Sequence, residues 1–112
     1  MSTHPLSGVY AAAITPINKD SSIALDNIPE FLAYLAENGC HGALLLGTTG
    51  EGPSFSLKER LEIFQVAIKV HEIQPQFRLF AGTGTPSLEE TVQLTKSCFE
   101  IGFDAAVVLP PY

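Results

Sequence analysis

Two stretches share one pattern: Gly39-Cys-His-Gly-Ala-Leu-Leu-Leu46 and Gly102-Phe-Asp-Ala-Ala-Val-Val-Leu109. Each has a glycine, two intervening residues, and then an unbroken run of small and branched apolar side chains. Continuous runs, rather than alternating ones, mark parallel strands covered on both faces. Two more such runs are Gly8–Thr15, "GVYAAAIT", and Phe77–Gly82, "FRLFAG". The links that leave two of the runs repeat as well. Gly47-Thr48 leads to Ser56-Leu-Lys-Glu59, and Gly82-Thr83 leads to Ser87-Leu-Glu-Glu90. Both four-residue stretches have the spacing of a helix capping box.

The segments between the runs carry helical period. From Leu25 to Gly39, Ile28, Phe31, Leu32, Leu35 and Ala36 fall on one face. Asp26 stands where an N-cap belongs, Pro29 is tolerable in a first turn, and Gly39 suits the stop. A second helix opens at Ser56 with Leu57, Leu61, Phe64, Ala67 and Ile68 in a stripe. A third opens at Ser87, places Leu88, Val92, Thr95 and Phe99 inward, and ends at Gly102. Strand and helix alternating through short links predict βαβ units. A repeated β-loop-α module with a Gly-Thr turn at the carboxyl end of two strands suits an α/β fold of the (β/α)8 TIM barrel type. A complete barrel takes about 250 residues. The expectation for residues 1–112 is therefore the amino-terminal part of one barrel domain, strands one to four with their helices, with no internal boundary.

Composition narrows the function. The hydrophobic fraction is 46% and the charged fraction 16%, which is globular rather than disordered. A net charge of −6 with scattered Lys and Arg argues against nucleic acid or an anionic membrane as partner. No stretch is apolar and long enough to span a bilayer. "MSTHPLSG" has neither a basic nor an apolar signal region, so a cytoplasmic protein is expected. Cys40 and Cys98 read as buried free thiols. His4, His41 and His71 share no metal or triad spacing, so no metal is expected. Tyr10 and Tyr34 read as packing residues.

The chemistry concentrates in Gly47-Thr-Thr-Gly-Glu51, where the second apolar run ends. Glycines let backbone approach a ligand closely, and successive amides can converge on an anion. Two adjacent hydroxyls add adjustable donors. With no fixed positive charge, the turn suits a carboxylate or single phosphate that is held and then released. No lysine follows the glycines, so this is not a P-loop, and the spacing is not a dinucleotide fingerprint. Glu51 reads as structural. Thr15 ends the first strand, and a barrel would bring it to the same face.

Together, Ala12-Ala-Ile-Thr-Pro16, Gly47-Thr-Thr-Gly-Glu51, Ser56-Leu-Lys-Glu-Arg60, Ala81-Gly-Thr-Gly84 and Pro110-Pro-Tyr112 resemble the dihydrodipicolinate synthase / N-acetylneuraminate lyase family, in order and spacing, from about Gly8 onward. The resemblance implies a (β/α)8 barrel that makes or breaks carbon–carbon bonds at pyruvate or a related 2-keto acid through a Schiff-base lysine, with no cofactor, in a homo-oligomer. It makes Gly47, Thr48, Thr49 and Gly50 the carboxylate-binding turn. Thr48 would belong to a hydroxyl relay that carries protons, and Tyr112 would be a further catalytic candidate, either the first tyrosine of the strand-four Pro-Tyr motif or the last residue before it; the relay tyrosine of the family lies on strand five. The doubled threonine favours the synthase branch. Gly50-Glu-Gly-Pro-Ser-Phe-Ser56 resembles the 2-keto-3-deoxygluconate aldolases, and Leu109-Pro-Pro-Tyr112 the keto-deoxyglucarate dehydratases. In this family the nucleophilic lysine lies on strand six. Lys19 reads as a turn residue and Lys58, Lys69 and Lys96 as helix surface, so none is expected to be the nucleophile, which must be desolvated. The 112-residue chain alone is expected to be inactive, and the rival expectation is a non-catalytic half-barrel that self-associates and uses the Gly-Thr loops for binding or for nothing.

Overall fold

A computed structural model describes residues 8–13, 15–20, 22–47, 55–85 and 87–108. Four strands and three helices alternate: β1 Tyr10–Ala12, α1 Asn27–Glu37, β2 Gly42–Leu45, α2 Leu57–Ala67, β3 Arg78–Gly82, α3 Leu88–Ile101 and β4 Ala105–Val107. A 3-10 turn, Ile68–Glu72, extends α2. The strands form one parallel sheet in the order β1-β2-β3-β4. Strict sequential order with parallel pairing is what successive βα units of a barrel give, and all the strands' carboxyl ends therefore share one edge.

The unbroken apolar runs are explained by two faces. Ala43, Leu45, Leu79 and Ala81 are buried with Ile28 and Leu32 of α1, Ile63, Phe64 and Ala67 of α2, and Leu94 and Cys98 of α3. The Phe64 and Phe103 rings meet at 5.0 Å in that core. On the opposite face, pairing puts Ala12, Leu44, Phe80 and Ala105 in one row. There Tyr10 stacks on Phe80 with ring centroids 4.7 Å apart, and its hydroxyl accepts from Arg78 Nη1 at 3.0 Å.

Helix ends follow local chemistry, with two corrections. The capping box of α2 is complete: Ser56 Oγ accepts from the Glu59 amide at 3.2 Å, and Glu59 Oε1 accepts from the Ser56 amide at 2.9 Å. At α3 only half forms. Ser87 Oγ accepts from the Glu90 amide at 3.3 Å, but the Ser87 amide goes to Thr85 Oγ1 at 3.1 Å, so Glu90 is not needed there. Asp26 holds the N-cap position of α1 without a side-chain cap. Its own backbone is already helical, and the first amides of the turn reach back instead, Asn27 to Ala24 O at 3.0 Å and Ile28 to Leu25 O at 3.1 Å. Gly39, with φ of 98°, ends α1 where a left-handed residue is required.

The inward face of α1 is as the period predicts: Ile28 and Leu32 are buried, and Phe31, Leu35 and Ala36 pack against the core. That of α2 holds as well, with Phe64 and Ala67 fully buried, and it deepens by two unpredicted residues, Ile63 and Arg60. The expected face of α3 is overturned. Leu88, Val92 and Phe99 are 79%, 51% and 51% exposed, while Thr91, Leu94 and Cys98 turn inward. Thr95 alone of the predicted set is partly buried. Tyr34, expected to pack, is exposed. Cys98 is a buried free thiol as expected; Cys40 is free but only partly buried.

Candidate active site

At the carboxyl edge the described residues are Gly47 after β2, Gly82 to Thr85 at the end of β3, and Thr15 after β1. Thr48, Thr49, Gly50 and Tyr112 lie outside the described residues, as do Glu51 and His4. Gly47 is partly buried at the mouth of its turn. Just before it, Leu46 is buried with φ of 60°, a left-handed backbone that costs a non-glycine residue strain. The neighbouring strand accepts this bend because of Gly82. A Cβ there would lie 2.4 Å from Leu46 O and 3.1 Å from the Gly47 amide nitrogen. The two Gly-Thr turns are therefore in direct backbone contact, and the second turn needs its glycine to receive the first.

The second turn spends its hydroxyls internally. Thr83 is fully buried, its Oγ1 2.8 Å from Thr95 Oγ1, and its amide donates to Val107 O at 3.2 Å. Thr95 Oγ1 also lies 2.8 Å from Thr91 O. Thr85 donates its hydroxyl proton to Ser87 O at 2.7 Å, and its amide donates to Thr91 Oγ1 at 3.0 Å. Threonines of α3 thus tie down the loop above it. Aligning the modules on Ser56 and Ser87 shows the difference: Thr91 corresponds to Arg60 and Thr95 to Phe64. The helix under the first turn brings no hydroxyl to those positions.

Arg60 is the site residue that sequence reasoning missed. It is 5% exposed, Nε donates to Phe55 O at 3.2 Å, and Nη1 donates to Gly84 O at 3.1 Å. Burial lowers its pKa from the ordinary arginine value, and the charge of Glu90 opposes that shift. A signal was present. Arg60 stands three residues after Leu57 and four before Phe64, squarely within the inward period.

The other candidates have ordinary roles. His41 Nδ1 accepts from the Val9 amide at 2.8 Å, and a ring nitrogen of His71 bonds Phe77 O at 2.7 Å. No group of His, Cys, Asp or Glu among the described residues could hold a metal ion. Lys19, Lys58, Lys69 and Lys96 are all exposed. No helix among the described residues is long and apolar enough to cross a membrane.

The profile of the dihydrodipicolinate synthetase family matches residues 5–112. A DapA-like lyase of Chloroflexus aurantiacus, itself uncharacterised, is 38% identical over 94% of this chain and 34% of its own length. The 4-hydroxy-tetrahydrodipicolinate synthase of Kosmotoga olearia is 35% identical over 94% of this chain and 35% of its own. Among solved structures, the chloride-inhibited dihydrodipicolinate synthase of Acinetobacter baumannii complexed with pyruvate superposes with a TM-score of 0.86 at 30% identity, over 96% of this chain and 36% of that one. The chain thus spans about a third of the length of these relatives and has the fold of their amino-terminal part. With the profile covering nearly every residue and the parallel sheet superposing on the synthases, the chain belongs to the dihydrodipicolinate synthetase family.

Proposed function

We propose that this chain belongs to a Schiff-base lyase or synthase acting on pyruvate or a related 2-keto acid, most like 4-hydroxy-tetrahydrodipicolinate synthase. In this reading the Gly47–Gly50 turn holds the keto-acid carboxylate through its amides and the Thr49 hydroxyl. Thr48 passes protons to and from the covalent intermediate, and Tyr112 is a further catalytic residue of the same site. The nucleophilic lysine comes from sequence beyond these 112 residues, because a Schiff-base lysine must be desolvated and the chain's own four lysines are exposed. The enzyme is a cytoplasmic homo-oligomer without cofactor or metal, and residues 1–112 are part of one barrel domain. The observation that carries this reading is the asymmetry of the two Gly-Thr modules. In one, the Thr83 hydroxyl is bonded to Thr95 of α3 and the Thr85 hydroxyl to Ser87 O, whereas α2 carries no serine or threonine. The pyruvate bound by the A. baumannii relative supports the substrate class.

A second reading within the same family, a 2-keto-3-deoxy sugar acid aldolase or dehydratase, is favoured by Gly50–Ser56 and by Leu109-Pro-Pro-Tyr112. One experiment addresses both. The full-length protein is incubated with pyruvate, or with a longer 2-keto acid, together with borohydride. Lysine nitrogen adds to the keto carbon, water leaves, and hydride reduces the imine to a stable secondary amine. The expected adduct has the mass of the keto acid less one oxygen atom and maps outside residues 1–112. Absence of an adduct with every 2-keto acid tested would remove the Schiff-base reading.

A further inference from the structure

The segment that begins at Gly47 is held at its entry against the end of β3 and at its exit to the loop after β3. Its entry, the Leu46–Gly47 peptide, lies against Gly82. Its exit is Phe55, the first described residue after 48–54, whose carbonyl accepts from Arg60 Nε. The same guanidinium reaches Gly84 O through Nη1. We propose that Arg60 is a positioning residue: its buried guanidinium bridges the Phe55 and Gly84 carbonyls and so fixes Phe55, the first described residue after 48–54, relative to the loop after β3. The consequence for a keto acid rests on the function proposed above; the bridge itself does not.

The residue type argues for this role over packing. A site between Leu57 and Phe64 on the inward stripe of a helix calls for leucine or methionine. Burying a guanidinium instead carries a desolvation cost that apolar side chains of similar size avoid. What arginine adds is a rigid planar fork whose N–H groups point in fixed directions, so that two carbonyls on different segments are held at a set separation. A lysine ammonium is a point donor on a flexible stem and cannot impose that separation. The first module carries this arginine where the second carries Thr91, which holds only its own loop.

Hydrogen exchange on the unliganded full-length protein tests the bridge directly. In Arg60→Met, peptides covering residues 44–56 and 82–87 should both exchange about tenfold faster or more, in keeping with loss of charge-assisted bonds, while peptides of α1 keep the wild-type rate. Arg60→Lys should restore at most one of the two loops. In pyruvate-dependent borohydride trapping, Arg60→Met should raise the half-saturating pyruvate about tenfold and leave the maximal trapping rate within about threefold, the signature of lost ground-state positioning. Wild-type exchange in both loops, equal acceleration in α1, or full restoration by lysine would overturn the proposal. If Arg60→Met does not fold, wild-type exchange of both loops in Arg60→Lys overturns it by itself. Should wild-type protein trap no 2-keto acid, the proposed function fails and the exchange result still judges the bridge.

Discussion

Thr83 occupies in the second module the place that Thr48 occupies in the first, and its surroundings show what a purely structural threonine looks like at this edge. It is fully buried and hydrogen-bonded to Thr95. In the first module α2 carries no serine or threonine, and Phe64 stands where Thr95 would. On the function proposed above, the doubled threonine has a testable division of labour. Thr49→Val keeps shape and removes one donor to the carboxylate, so KM for the keto acid should rise by an amount equivalent to about 1–3 kcal/mol. Thr48→Val should instead lower kcat with KM little changed, because a proton relay is broken while most binding remains. Steady-state kinetics of the two variants in the full-length protein decide it, and equal, small effects would leave the loop a turn only. At this scale residue type is legible in the sequence, and partners are not. The pattern Gly-Thr-Thr-Gly points to an anion, whereas the need for glycine at position 82 appears only when Leu46 O is seen against it.

The elements show why α1 and α2 were legible and α3 was not. In α1 a single apolar stripe leaves one choice of face. In α3 there are two stripes with the same period: Leu88, Val92 and Phe99 on one, Thr91, Leu94 and Cys98 on the other, about 100° away. Periodicity cannot choose between them, and side-chain size chose wrongly. What decides is the start of the helix, where Thr91 accepts from the Thr85 amide and fixes the rotation of the first turn. Leu94 and Cys98 then fall inward, and burial raises the Cys98 thiol pKa. Truncating the two faces should therefore give opposite results. Leu94→Ala, at a fully buried position, should destabilise by about 2–5 kcal/mol. Val92→Ala, half exposed, should stay within about 0.5 kcal/mol. Denaturant midpoints of the two variants measure this, and a costly Val92→Ala with a neutral Leu94→Ala would restore the face that side-chain size suggests.

At the scale of the whole molecule, the described helices cover one face of the sheet only. Helices cover Ala43, Leu45, Leu79 and Ala81, but Leu44, Phe80 and Ala105 on the other face are partly exposed. The outer strands β1 and β4 each pair on one side among the described residues, which leaves hydrogen-bonding edges of the kind that recruit another chain. Val107, Val108, Val92 and Phe99 are exposed as well. Patches of this kind mark surfaces that bury themselves when a partner is available. The fold class was legible here because unbroken apolar runs and the repeated Gly-Thr turn both survive in any part of a barrel, however much of it the chain contains. Expressed alone, residues 1–112 should therefore associate. Light scattering should give a mass that rises with concentration, and an apolar dye should bind and be displaced as association proceeds. The thermal transition should be broad and shift with concentration, as it must when folding and association are linked. The alternative outcome is specific. A monodisperse monomer with one sharp, concentration-independent transition would mean that the described face of Leu44, Phe80 and Ala105 is stable in water by itself, and that the sheet needs no second layer.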